Sequence, residues 1–322
     1  MDALFALWDG AFGSSYAFWS ATLVRATPLV LVGLAVALAF RAGVLNIGAE
    51  GQLIAGAIAA TALAQWLGAM PRIATVPVMA LGGMMAGAAW AGIAAWLRRR
   101  FGVLEVISTL MLNFIALALL SWVVRGPLQE PTGIYPQSST IAESARWPFL
   151  LRGQRLHLGF AFGLIVATAS WYWLARTASG FRVRVVGVGA RAAASAGGVD
   201  VARTTFAVFL VSGACAGLAG ASEVGGVTWA LYEGLSPGYG YTAIAVALLA
   251  RLDPRWVVVS AVFFGALEAG AAAMQRDAGV PAVIVQVFVA LVILGVLAGT
   301  HLRDRMRDRK GARRIVARSE AG

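Results

Sequence analysis

Three short stretches hold the polar side chains that could do chemistry. The first is Asn46-Ile47-Gly48-Ala49-Glu50-Gly51-Gln52. Asn46 and Glu50 are four apart and share one face if the segment is helical. Gly48 and Gly51 permit close backbone approach or a non-helical turn. One reading is a bent or re-entrant helix start beside a translocation path. The other is a capped helix start with Glu50 favoured by the helix dipole, which leaves Gln52 unexplained. The second stretch is Glu105-Val-Ile-Ser-Thr-Leu-Met-Leu-Asn113. On a helix Glu105, Thr109 and Asn113 lie within about 80° of each other, flanked by Ser108. Such a stripe suits pore lining or interhelical hydrogen bonding equally well. The third comprises Glu223, Glu233, Ser236, Tyr239 and Tyr241 around the break Ser236-Pro-Gly-Tyr-Gly240. A Gly-rich break with carboxylates and tyrosines could receive a ligand, although Glu223 and Glu233 read more simply as a partly solvated loop. Glu268 stands alone among small residues and is expected to pair across a tight helix contact. Arg25 is expected to snorkel outward and is given no role.

Other chemistries lack their residues. A phosphate-binding P-loop needs Gly-Lys-Ser/Thr, and Lys310, the only lysine, precedes Gly311. His157 and His301 lie in different connections, Cys215 is alone, and Gly-x-Ser-x-Gly is absent, so no metal, dyad or elbow motif forms. No cofactor is expected.

The elements that position these residues are membrane helices. Of 322 residues 60% are hydrophobic and 13% charged, against roughly 45–50% and 25% in soluble proteins. A net charge of +11 would suggest nucleic acid in a soluble protein, but here the cations fall between apolar runs, as topology signals do. No nucleic-acid partner is expected. Apolar runs near 17–40, 48–68, 73–97, 103–124, 157–175, 204–222, 227–250, 256–274 and 282–299 give nine candidate spans. The run at 227–250 is interrupted and reads as a broken or re-entrant helix. Alternate connections carry nineteen and six basic residues, which places the C-terminal tail in the cytoplasm and the N-terminus outside. Met1 to Ser15 is too short and too polar for a signal peptide. Gly83/Gly87 and Gly213/Gly217 read as helix-packing pairs. The outer connection 125–156 has a loop composition. The inner connection 176–203 is basic, with a short helix expected at 191–196, ended by Gly197-Gly198. It is either a docking surface or a loop that only enforces topology.

These stretches resemble a known family. Arg41-Ala-Gly-Val-Leu-Asn-Ile-Gly-Ala-Glu-Gly-Gln52 resembles a signature of the permease subunits of sugar- and nucleoside-type ABC importers. Phe101 to Ala116 and Leu235 to Ala250 resemble two more, and Gly180 to Gly198 resembles the loop that carries the coupling helix. The matches run in order from about residue 20 to 299.

The resemblance implies an all-α polytopic bundle of ABC importer permease type. A transmembrane domain would span 1–300, with a basic cytoplasmic tail at 301–322. It implies a bacterial inner-membrane location, a partner ATPase that uses the ATP, a second permease chain, and an extracellular or periplasmic substrate-binding protein. The cargo would be a nucleoside or simple sugar. Relatives usually carry an extra helix before the position of Ser20, so a missing upstream helix is expected. The path candidates are Asn46, Glu50, Gln52, Glu105, Ser108, Thr109, Asn113, Ser236, Tyr239 and Tyr241. Arg184, Arg191 and Asp200 are candidates for ATPase contact, by position in the loop. The competing function is an ion-coupled secondary transporter or channel using Glu50, Glu105 and Glu268. A membrane enzyme, the third reading, would turn over without partners.

Overall fold

The computed structural model describes residues 2–68 and 70–277, and beyond them only isolated positions as far as 299. The chain enters through α1 (Asp2–Phe12) and a π-helical turn (Ala17–Thr22) that runs into α2 (Leu23–Arg41). Next come α3 (Ala49–Leu67), α4 (Arg72–Phe101), α5 (Glu105–Val124) and α6 (Leu158–Arg176). Two short helices, α7 (Ala178–Val188) and α8 (Ala190–Gly197), lead to α9 (Val201–Glu223), which ends in a second π turn (Val224–Thr228). Then follow α10 (Tyr239–Leu249) and α11 (Pro254–Asp277). Six of these segments are long and apolar enough to cross a bilayer: 17–41, 72–101, 105–124, 158–176, 201–228 and 254–277.

Among the described residues six spans meet these criteria, and the count of nine is not reached there. The helix α3 has the length, 19 residues, but Glu50, Gln52, Thr61 and Gln65 dilute its hydropathy. The run at 227–250 is broken, as its interruption at Ser236–Gly240 predicts. Its first residues finish α9, a turn follows, and only 11 residues form α10. The expected ninth span, 282–299, and the tail 301–322 lie outside the continuously described residues. Two further corrections concern the connections. Residues 176–203 form two helices and not a loop with one, since the Thr177 hydroxyl accepts from Gly180 N at 3.0 Å and starts α7. The N-terminal stretch before Ser15 is mostly helix, with Leu4, Phe5, Trp8 and Phe12 exposed. Its other side rests on α11, where a Cβ on Gly270 would meet the Leu7 carbonyl.

A helix that is apolar all round belongs in the core. Helix α2 is such a helix, buried on every side from Leu29 to Ala39. Around it pack α6, α9, α10 and α11. Beside it α3, α4 and α9 meet along glycines: Cβ atoms on Gly87, Gly213 and Gly217 would strike backbone carbonyls of the facing helix. Large apolar side chains such as Met85, Phe114, Trp122 and Ile165 point outward, as lipid-facing residues do.

The connection 125–157 folds back over the bundle end opposite α7 and α8. Ser138 N donates to Leu231 O at 2.7 Å, and Trp147 N donates to Gly225 O at 2.9 Å. The Trp147 and His157 rings lie against Gly225 and Gly226, leaving no room for a Cβ. Arg146 stacks 4.6 Å over the Trp229 ring.

His157 is fully buried in this cap, and burial pushes its imidazole down to about 4, with Arg155 adding to the shift. An unfolded histidine titrates near 6.5, so between about 6.5 and 4 the unfolded chain binds a proton that the folded cap refuses. Stability is complete above that window and falls through it by up to about 3 kcal/mol. Protease protection of 125–157 in detergent is expected to weaken from pH 7 to 4.5, and His157→Gln to flatten that slope. An unchanged slope in the variant would assign the pH dependence to another group.

Candidate functional site

The turn from α2 into α3 is drawn inside the bundle by Asn46. Its Oδ1 accepts from Gly48 N and Gln52 Nε2, both at 3.0 Å. Its Nδ2 donates to Gln52 Oε1 at 3.0 Å and to Ser212 Oγ at 2.9 Å. Ser212 in turn donates to Ala35 O at 2.7 Å. Both lone pairs and both protons of the amide are used. Asn46 and Gln52 are 0% and 1% exposed, so these bonds offset a full desolvation cost. They also account for Gln52. Ser212 is the twelfth residue of α9, about 17 Å along the helix axis. Helix α3 thus begins at membrane depth.

Asn113 of α5 ties down the same turn. Its Oδ1 accepts from Gly51 N at 2.8 Å, and its Nδ2 donates to Ile47 O at 3.0 Å and to Tyr241 Oη at 3.3 Å. Thr109 fits so closely on Gly48 that a Cβ there would clash. The stripe on α5 is therefore divided. Asn113 and Thr109 face the turn, and the Thr109 hydroxyl bonds back to Glu105 O at 2.6 Å. Ser108 bonds to the Glu105 carbonyl at 3.2 Å. Glu105 itself turns to Arg98 at the end of α4, 3.4 Å away.

A second helix starts at the same place. Gly238, with φ 97°, turns the chain into α10. The Ser236 hydroxyl accepts from Gly238 N at 3.2 Å and Tyr239 N at 3.1 Å. The Glu50 carboxylate accepts from Gly240 N at 2.6 Å, and the Ser236 side chain stands close to it. Gly240 lies directly on the Glu50 backbone, where a Cβ would not fit. From there α10 runs about 16 Å to the end carrying α7 and α8, where Arg41 Nη1 donates to Arg251 O at 3.4 Å. It is a half-helix whose positive N-terminus points into the bundle at mid-depth, a device that transporters use at solute sites. Here the protein's own carboxylate holds that terminus.

Six of the ten path candidates therefore form one connected junction: Asn46, Glu50, Gln52, Asn113, Ser236 and Tyr241. Thr109 packs against it, Ser108 and Glu105 stand below it, and Tyr239 faces away. On that far side Tyr239 stands within electrostatic reach of Glu223, Glu268 and Arg25. Sequence reasoning misplaced Glu223, which is the last residue of α9 and 5% exposed. The residues after it continue as a π turn and not as a solvated loop. Glu233 is at the surface, held by Arg125 at 3.0 Å. Arg25 is only part-exposed, donates to Ala21 O at 3.3 Å and faces the carboxylates.

The coupling candidates lie apart from the junction. Asp200 caps α9, its Oδ1 accepting from Arg203 N at 2.8 Å. Arg184 lies 5.9 Å over the Phe181 ring on α7. Arg191 sits exposed on α8, which ends at Gly198 with φ 57°. One contact joins the two regions. A Cβ on Gly187, near the end of α7, would strike the Arg41 carbonyl, and Gly43 lies beside it. Helix α7 thus bears on the turn that leads into Asn46.

A lipid-facing helical bundle with a half-helix and a buried polar junction is the architecture of a membrane permease. The chain matches the family described as branched-chain amino acid transport system / permease component over residues 18–297, and it belongs to that family. It is 41% identical over 284 residues to the glucose ABC transporter permease protein TsgB13 of Haloferax volcanii, covering 84% of this chain and 74% of that one. It is 38% identical over 308 residues to the guanosine ABC transporter permease protein NupP of Bacillus subtilis, covering 92% and 86%. The nucleoside ABC transporter permease protein NupB of Lactococcus lactis is 31% identical over 281 residues, covering 84% and 77%. No solved structure matches the chain significantly.

Proposed function

We propose that this permease imports a nucleoside or a simple sugar across the bacterial inner membrane, moved by ATP hydrolysis on a separate subunit. The observation that carries this reading is the similarity over 92% of the chain to a guanosine permease, together with 41% identity to a glucose permease. The excess of arginine on the α7–α8 side supports a cytoplasmic location for that side and for the tail 301–322. The ATPase docks there, on α8 and the surface of Arg184, Arg191 and Asp200. A second permease chain completes the path, and an external binding protein delivers the solute on the side of 125–157. The junction residues Asn46, Glu50, Gln52, Asn113, Ser236 and Tyr241, with Glu105, Ser108, Thr109 and Tyr239, border the path. Motion of α8 reaches them through α7, Gly187 and the turn at Gly43. Replacing residues 190–198 with a Gly/Ser linker is expected to abolish ATP-driven uptake while the protein stays in the membrane. Uptake at the unmodified rate would remove the coupling assignment.

A further inference from the structure

On the far side of the α10 start stand Arg25 of α2, Glu223 of α9, Tyr239 of α10 and Glu268 of α11: α9, α10 and α11 all pack on α2, and Gly265, just before Glu268, lies against Thr22 and Ala26, which flank Arg25. Each carboxylate feels Arg25, Glu223 also feels Glu268, and Tyr239 feels all three. None of the ion pairs or hydrogen bonds between described residues reaches the Glu223 or Glu268 carboxylate, and the Tyr239 hydroxyl has no bonded partner. Yet Glu223 is 5% exposed and Tyr239 7% exposed. Polar groups buried to this degree are normally paired, because leaving one unpaired costs about 1–3 kcal/mol. The contrast with the neighbouring junction is sharp, since there both lone pairs and both protons of Asn46 are used.

Among the described residues, the fully occluded side-chain atoms that make no hydrogen bond lie elsewhere, at Arg98, Arg146, Trp147, His157 and Ser260. The oxygens of this cluster are therefore not fully occluded. Both π turns border it: Ala17–Thr22 lies just before Arg25, and Val224–Thr228 lies just after Glu223. Such turns redirect side chains and are frequent at functional sites.

We propose that Arg25, Glu223, Tyr239 and Glu268 form a contact site for the vicinal hydroxyls of a polyhydroxylated solute passing through the permease. A carboxylate has two oxygens that accept from adjacent hydroxyls in bidentate fashion. Arginine donates without accepting, and the tyrosine hydroxyl does either. Two acceptors and one fixed donor suit a neutral diol such as a ribose or hexose ring. A cationic solute would leave Arg25 repelled, and an anionic one would oppose two carboxylates.

The inference rests on the import reading above, and the test separates the two. The complete transporter is assayed for uptake of guanosine against 2′,3′-dideoxyguanosine, and of glucose against 2-deoxyglucose. The measured quantity is the ratio of the two uptake rates, which is insensitive to the amount of protein. Delivery by the same binding protein cancels when variant and wild type are compared. Glu223→Gln and Glu268→Gln are expected to reduce the wild-type preference for the hydroxylated solute by tenfold or more. Tyr239→Phe, which removes one hydroxyl and so should assemble where the others fail, is expected to reduce it about threefold. An unchanged ratio in all three variants, or no preference in the wild type, would overturn the site. If the wild-type complex imported neither solute of either pair, the import reading itself would fall, and this site with it.

Discussion

Glu50→Ala is expected to cut ATP-driven uptake by on the order of 100-fold. The carboxylate is the acceptor that holds Gly240 N where α10 begins, beside Ser236. Removing it leaves an orphaned donor at a helix N-terminus inside the bundle, at about 1–3 kcal/mol. It also removes the negative charge that faces the dipole of α10. Two such losses amount to about 3 kcal/mol, which corresponds to roughly 100-fold in any equilibrium that depends on α10 being seated. Glu50→Gln keeps an acceptor oxygen but no charge, so its uptake should fall only about tenfold. Equal and near-wild-type rates for the two variants would show that α10 is held by other contacts.

Gly217→Val is expected to leave no assembled permease. Helices α3, α4 and α9 approach here at backbone distance. A Cβ at Gly217 would meet the Gly83 carbonyl, and Gly217 itself fills the space against Gly56 and Gly87. A flexible side chain could yield, but a carbonyl cannot move without its helix. Overpacking costs typically 1–3 kcal/mol even where side chains can shift. Here three helices must separate, so the cost exceeds that range. Size-exclusion profiles and thermal unfolding in detergent report it directly. Gly92→Ala, which would meet only the tip of Leu210, serves as the control and should behave as wild type. A monodisperse, stable Gly217→Val protein would refute the three-helix seam.

The limits of the sequence reading have identifiable causes. Hydropathy located α2, α3, α4, α5, α6, α9 and α11 to within a few residues, because each is a continuous apolar run. The pairs Gly83/Gly87 and Gly213/Gly217 were visible as packing motifs, and in the structure they face each other. Gly56 and Gly220 complete the seam but stand outside that spacing on their helices. The polar clusters were visible one by one. That they meet was not, since Asn46 bonds a serine 166 positions away and Glu50 a backbone amide 190 positions away. Pairings of that span are set by how the helices stack, which local periodicity does not encode.

Glycines shape two further features. The run Gly225-Gly226 follows closely on Glu223. In the bundle it is a π turn whose missing side chains admit the Trp147 and His157 rings. Gly180 and Gly187 of α7 are likewise close contacts, with Trp173 and with Arg41. In a membrane bundle glycine marks where backbones touch at least as often as where helices stop. The half-helix α10 was legible only as a break. Hydropathy over a window long enough to span a bilayer cannot separate a half-span from a span.

We propose a permease that is a gate without an engine of its own, moved by a nucleotide-hydrolysing subunit. The most direct measurement reconstitutes it in sealed vesicles with the ATPase, second permease chain and binding protein proposed above, and follows labelled guanosine or glucose. Accumulation above the external concentration is expected only when ATP is supplied on the ATPase side, and none from the permease alone under an imposed proton or sodium gradient. Accumulation by the permease alone, with no nucleotide present, would contradict the account.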